Sequence, residues 1–153
     1  GDMVPRVTYM GSPYSCAFSG KALTFFSSRN LASPELVEQR NIEERIDSVF
    51  YSDEYAAAIV RNTNGEYGSR LEVYKKDGTH VLSKEFNFEY THADFDGDLI
   101  ILYNEDSCRI YNMSGTEKFD ATFDFPVSKI RKGRFPGTLV VTGPQQMQEL
   151  KLR

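Results

Sequence analysis

Apolar residues along this chain fall in short alternating runs, cut at regular intervals by turn-forming residues. Tyr14-Ser15-Cys16-Ala17-Phe18, Leu23-Thr24-Phe25-Phe26, Leu71-Glu72-Val73-Tyr74 and Ser107-Cys108-Arg109-Ile110 keep a period near two, and 55–60 and 99–103 are nearly continuous apolar stretches. A period of two puts alternate side chains on opposite faces of a strand, so the pattern predicts sheet. Between the runs lie Asp53-Glu54, Asp77-Gly78, Asp96-Gly97-Asp98 and Ser114-Gly115, residue types that suit tight reversals.

The runs are not independent of one another. Leu71-Glu72-Val73-Tyr74-Lys75-Lys76-Asp77-Gly78 and Cys108-Arg109-Ile110-Tyr111-Asn112-Met113-Ser114-Gly115 share apolar alternation, a Tyr, two intervening residues, Asp or Ser, and Gly. The offset of 37 also carries Leu82 onto Phe119 and Phe86-Asn87-Phe88 onto Phe123-Asp124-Phe125. Each unit reads as four antiparallel strands. In the second unit these are 47–51, 55–60, a third ending at Tyr74, and 81–88; in the third they are 91–95, 99–103, a strand ending at Tyr111, and 118–125. Gly78 and Gly115 are placed to close the last hairpin with φ > 0.

The pattern extends more faintly in both directions. Upstream, 14–18, 23–26 and an outer strand at 34–40 form a first unit after the loop 27–33; downstream, 128–132, 138–142 and 147–152 form a last unit with no fourth strand. The stretch 34–46 has Ser33 and Pro34 as a helix start, but its apolar Leu36, Val37, Ile42 and Ile46 make no helical stripe, and the repeat calls for a strand. Four strands at a period near 40 predict an all-β fold: a β-propeller-type repeat of about four four-stranded antiparallel blades, at 4–45, 46–90, 91–127 and 128–153, in one domain over 1–153. A Greek-key sandwich also has short, regularly spaced strands but does not require a repeat.

Composition supports this and narrows the function. The 153 residues include 11 Phe and 9 Tyr but no Trp, and 40% are hydrophobic. A net charge of −4 argues against a dedicated nucleic-acid binder. No stretch approaches the ~20 apolar residues that cross a bilayer. The start Gly1-Asp2-Met3-Val4-Pro5 has no signal-peptide pattern, and Gly1 reads as a tag remnant with native sequence expected upstream. Cys16 and Cys108 sit in apolar runs and read as small buried hydrophobes.

The stretch from Ile46 to Leu152 carries a resemblance: Ser48-Val49-Phe50 through Tyr55, Leu71 to Gly78, Leu99-Ile100-Ile101-Leu102-Tyr103-Asn104, Ile110-Tyr111-Asn112-Met113-Ser114-Gly115 and Gln148-Glu149-Leu150-Lys151-Leu152. It resembles a family of propeller-like proteins of unknown function from Gram-positive Firmicutes, with blades like WD40 or quinoprotein repeats. The Gly-His and Trp-Asp dipeptides of true WD40 repeats and the docking tryptophans of quinoproteins are absent. The resemblance implies a C-terminal part of an extracellular or cell-surface protein held by an upstream N-terminal membrane anchor. It brings no catalytic residues.

Candidate chemistry is sparse. Asp94-Phe95-Asp96-Gly97-Asp98 has the alternating carboxylates of a Ca²⁺ loop but lacks the EF-hand spacing, and reads as a hairpin turn. His80 and His92 have no ligand-like neighbours, so no metal and no cofactor are expected. His92 and Asp94, on a first strand, and Lys129 and Arg131, from the run that includes Lys132 and Arg134, are the candidate ligand contacts. Alternation puts Lys129 and Arg131 on one side and Lys132 and Arg134 on the other. Tyr51, Tyr67 and Tyr90 read as exposed aromatics able to stack on a sugar or peptide. The expected function is a non-catalytic binding or structural scaffold for a protein, peptide or glycan. The alternative is a carbohydrate-active propeller enzyme whose paired carboxylates come from Asp47, Asp53, Asp94 and Asp96. With its last blade a strand short, the chain is expected to form an open arc that self-associates as a C₂ homodimer, unless residues 1–9 supply the closing strand.

Overall fold

The computed structural model describes residues 6–10, 13–27, 35–62 and 66–152. Among them are fifteen strands and no helix, arranged in four antiparallel sheets, none closed into a barrel. The chain divides into two compact units, residues 1–87 and 88–153.

The first unit holds two four-stranded sheets. One consists of β1 (Arg6–Met10), β2 (Tyr14–Phe18), β3 (Ala22–Ser27) and β4 (Glu35–Asn41), in that order. The other consists of β5 (Ile46–Tyr51), β6 (Tyr55–Arg61), β7 (Ser69–Lys75) and β8 (His80–Phe86). Their facing sides share one core, in which Phe18, Leu23 and Phe25 of the first sheet meet Ala56, Ala58, Val60 and Tyr74 of the second. The small alanines on β6 leave room for the phenylalanine rings, so large and small residues interdigitate. The segment weighed between helix and strand is β4, because β3 supplies its backbone partners from Ala22↔Asn41 to Ser27↔Glu35. The helix start at Ser33 and Pro34 lies outside the described residues. β1 pairs with β2, so residues 6–10 form the first strand of the first sheet rather than a closing strand of the last.

The second unit holds β9 (His92–Asp96), β10 (Leu99–Tyr103), β11 (Ser107–Tyr111) and β12 (Glu117–Thr122) in one sheet, and β13 (Lys129–Lys132), β14 (Thr138–Thr142) and β15 (Met147–Lys151) in a three-stranded one. Ile101, Cys108 and Ile110 of the former pack with Ile130, Leu139, Val141 and Leu150 of the latter. The opposite face of the last sheet is mixed: Lys129, Arg131, Glu149 and Lys151 are exposed beside the apolar Met147, with Val140 half-buried between them.

The 37-residue offset holds at the level of single hydrogen-bonded pairs. Leu71↔Lys84, Glu72↔Ser83, Val73↔Leu82 and Tyr74↔His80 recur as Cys108↔Ala121, Arg109↔Asp120, Ile110↔Phe119 and Tyr111↔Glu117. Both ladders are bulged at the same place, before Tyr74 and before Tyr111, and the first sheet has its bulge at the corresponding Phe25/Phe26 step. Gly78 N–H donates to Lys75 O at 2.8 Å and Gly115 N–H to Asn112 O at 3.1 Å, and the two glycines have φ of 88° and 83°. A left-handed glycine closes each of these turns, while the extra residue of each ladder, Val81 and Lys118, lies beyond it on the fourth strand. Asp96-Gly97-Asp98-Leu99 is likewise a hairpin turn, with Gly97 at φ 57° as its first central residue.

Two fourth strands end earlier than the alternation suggests. β8 stops at Phe86 and β12 at Thr122, so Phe88 and Phe125 lie outside strands. Phe123 keeps the place of Phe86: its N–H donates to Asp106 O at 2.7 Å, where Ser69 faces Phe86 in the previous sheet. The chain then turns, and Val127 N–H bonds to Glu105 O at 2.6 Å. This brings the Phe125 ring against Phe123 at 5.7 Å and beside Gly143, where a Cβ would stand 2.7 Å from that ring. Burial of Phe125 in the shared core therefore outweighs continued pairing.

Cys16 and Cys108 are free and fully buried, and burial pushes both thiols up to about 12. Since the thiolate is the reactive form, neither should react with Ellman's reagent in the native protein at pH 8, and both should react after denaturation. Labelling of the native state at the denatured rate would show that these strands open.

Candidate functional site

Two hairpin turns of the second sheet lie side by side next to the start of β2. Ser52 closes the β5–β6 turn: its N–H donates to Tyr55 O at 2.8 Å, while its Oγ accepts from Glu54 N and Tyr55 N at 3.3 and 3.2 Å. The β7–β8 turn is held by Asp77, whose Oδ1 accepts from Thr79 N at 3.0 Å, a bond that lowers the carboxyl's pKa. Lys76 N–H donates to Glu54 O at 2.9 Å and ties the two turns together. The result is a groove of about 280 Å³ lined by Tyr14, Glu54, Tyr55, Lys75, Lys76 and Asp77. The Lys76 ammonium lies 3.4 Å from Glu54 Oε1 and 5.8 Å from the centre of the Tyr14 ring. Two aromatic rings thus adjoin two cations and two carboxylates. Such a site offers stacking and ion pairing within one short span.

A second polar cluster lies nearby in the same sheet. Glu72 is buried on β7, and its carboxylate accepts from Arg70 Nε at 2.9 Å and from Ser83 Oγ, and bonds His80 Nε2 at 2.9 Å. Arg70 also grips Glu44 with two bonds, at 2.9 and 3.0 Å, and this pairing holds the Glu44 carboxyl below its ordinary value. The offset of 37 maps Glu72 onto Arg109, Ser83 onto Asp120 and His80 onto Glu117. Arg109 lies 3.4 Å from Asp120 and 3.3 Å from Glu117, so the same ladder positions are again polar partners, with a guanidinium in place of the central carboxylate. Polar pairing between third and fourth strands is therefore repeated in the two sheets. The partners of Glu72 occupy its oxygens and fit it to hold strands together.

The residues singled out from sequence fall in the second unit. His92 stacks on Tyr103, with ring centres 4.8 Å apart and planes 9° apart, and its Nδ1 is 3.0 Å from Thr91 Oγ1. Asp94 accepts from Phe95 N at 2.8 Å. Lys129 and Arg131 are exposed on β13, on the same face as each other, as alternation predicts. Among the described residues, no hydrogen bond or ion pair joins them to His92 or Asp94. β13 meets β9 instead through Asp96, whose Oδ2 accepts from Lys132 N.

Three of the four carboxylates weighed for catalysis lie on strands. Asp47 is 3.7 and 3.8 Å from Arg45 and Arg61, and Asp53 lies past the other end of β5. Asp94 and Asp96 follow each other on β9, about 6.6 Å apart along the strand. Tyr51 and Tyr67 are exposed, whereas Tyr90 is half-buried in the β8–β9 connection rather than free to stack.

Sequence reading missed both the groove and the Glu72 cluster. Tyr14, Tyr55 and the Lys75-Lys76-Asp77 turn were legible as strand ends and turn, but their meeting depends on two sheets packing. Glu72 had a signal: a carboxylate inside the apolar run Leu71-Glu72-Val73-Tyr74, mapped by the repeat onto an arginine.

Repeated antiparallel sheets with matched registers and turns define an all-β protein of the β-propeller type. The chain belongs to a family of unknown function (DUF5711), whose model matches residues 1–152. No curated protein sequence matches it. Among solved structures it is similar to the computationally designed Ika4 protein, with a TM-score of 0.59 and 7% identity over 99% of this chain and 94% of that one. It is also similar to Kluyveromyces lactis Hsv2p (TM-score 0.54, 9% identity, 97% of this chain and 46% of that one) and to KlHsv2 with loop 6CD replaced by a Gly-Ser linker (0.57, 9%, 97% and 50%). The chain spans about half the length of these last two. At such identities the likeness shows the fold alone.

Proposed function

We propose that this domain is a non-catalytic binding scaffold that takes a short polypeptide segment of mixed charge in the groove at Tyr14, Tyr55 and Lys76. The observation that carries this reading is the convergence of two tyrosines, two lysines and two carboxylates on one groove of about 280 Å³. That volume is near the lower bound for ligand sites, and fits a few side chains rather than a large cofactor. Cations and carboxylates on the same rim match the alternating charges of a peptide better than the neutral hydroxyls of a simple sugar.

The resemblance to propeller-like proteins of Gram-positive bacteria supports a location at the cell surface, with an anchor upstream. In that setting the blades present the groove to a partner outside the cell.

The test is a binding screen of the chain against peptide and glycan arrays, repeated with Tyr14→Ala and Lys76→Ala. Peptides retained by the wild type should be lost by about tenfold or more in both variants, as expected for anchor residues, with unchanged thermal midpoints. Binding of glycans alone, or peptide binding indifferent to both substitutions, would sink the reading.

A further inference from the structure

In three of the four sheets the third strand pairs with a fourth, but β15 pairs only with β14 among the described residues. Its outer edge has a defined set of backbone groups. Leu152 N–H donates inward to Gly137 O at 2.7 Å. Since the peptide groups of alternate residues point the same way, Leu150 also faces β14, and Glu149 and Lys151 present their N–H and C=O groups outward. Their side chains are both exposed, on one face of the sheet, while Leu150 is buried on the other.

We infer that this edge is an interface for a second copy of the chain, formed by antiparallel pairing of β15 with β15 about a two-fold axis at Leu150. In that register Glu149 lies opposite Lys151 of the second copy, and Lys151 opposite its Glu149, so both outward-facing residues form hydrogen-bonded pairs that are also charge pairs. Leu150 lies opposite Leu150 as the non-hydrogen-bonded pair, where side chains approach most closely. A lysine on a sheet edge ordinarily discourages pairing; here the two-fold register turns it into a partner for an acid. The charge register commits the contact to the edge, and the self-association expected from exposed blade faces is assigned to β15 instead. The contact is isologous, so it closes at two copies. A single strand pair buries less than a standard interface, so the dimer is weak and depends on concentration.

The experiment is sedimentation equilibrium of the chain across a wide concentration range, with Glu149→Lys and Lys151→Glu made separately. Each reversal sets two like-charge pairs against each other and should weaken self-association by about tenfold or more. An equimolar mixture of the two variants should associate again, because the wholly basic edge of one then faces the wholly acidic edge of the other. In the wild type, hydrogen exchange at the Glu149 and Lys151 amides should slow as concentration rises. Both side chains are exposed, so thermal midpoints should stay at the wild-type value and exclude misfolding. A wild type that is monomeric throughout, a dimer indifferent to both reversals, or a mixture that stays monomeric would overturn the proposal and leave the β15 edge to a strand from a different polypeptide.

Discussion

Gly78→Ala is expected to destabilise the domain by about 2 to 4 kcal/mol, from two separate causes that act at one atom. The first is backbone conformation: Gly78 has φ of 88°, a region that costs an L residue about 1 to 2 kcal/mol. The second is packing. A Cβ at this position would stand 2.5 Å from Glu38 Cβ and 3.0 Å from Phe25 Cδ2, so the turn could not keep its place beneath β4. Arg40 is committed to the same contact, since its Nε donates to Gly78 O at 3.0 Å. Gly115→Ala, at φ 83° in the equivalent turn, should cost about 1 kcal/mol or more through the backbone cause. Urea unfolding of both variants measures the difference. Equal losses would mean that docking of the β7–β8 turn against β4 adds nothing.

A second large effect is expected at Arg70. Arg70→Met removes the cation between Glu44 and Glu72 and leaves the buried Glu72 with His80 and Ser83 alone. Breaking a fully buried pair costs about 3 to 5 kcal/mol; with Arg70 about a fifth exposed and Glu44 a third, roughly 2 kcal/mol at pH 7 is expected. The loss should depend on pH with a definite sign. Arg70 holds the folded-state Glu44 carboxyl below its ordinary 4.5, so the stability linked to this group is fully present above that value and disappears as pH falls through the depressed one. The gap between wild type and variant should therefore narrow on acidification below pH 4.5. Chemical denaturation at pH 7 and pH 3 would show it, and a gap of the same size at both would remove Glu44 from the account.

These two sites also separate what could be read along the chain from what could not. The turn at Gly78 was legible because a Tyr, two residues, a polar residue and Gly recur 37 positions later, and only a left-handed residue closes such a hairpin. What presses on Gly78 was not legible. Glu38 and Phe25 lie 40 and 53 positions away, and they reach the turn only because the first two sheets pack face to face. Glu72 stood out as a charge among apolar residues, but Glu44 and Ser83 are distant in the chain. Nothing local paired them.

By itself, then, the sequence determined the strands, their antiparallel order within each sheet and the turns that follow β7 and β11. These depend on side-chain alternation and on the conformations open to glycine, forces that act over a few consecutive residues. Only the tertiary structure decided that β12 ends at Thr122, because burial of Phe125 beside Gly143 competes with the ladder and wins. It likewise decided where Tyr14 meets the turns at Glu54 and Lys76. Each of these outcomes is set by the packing of one sheet on another, which brings together residues that the local pattern treats as unrelated.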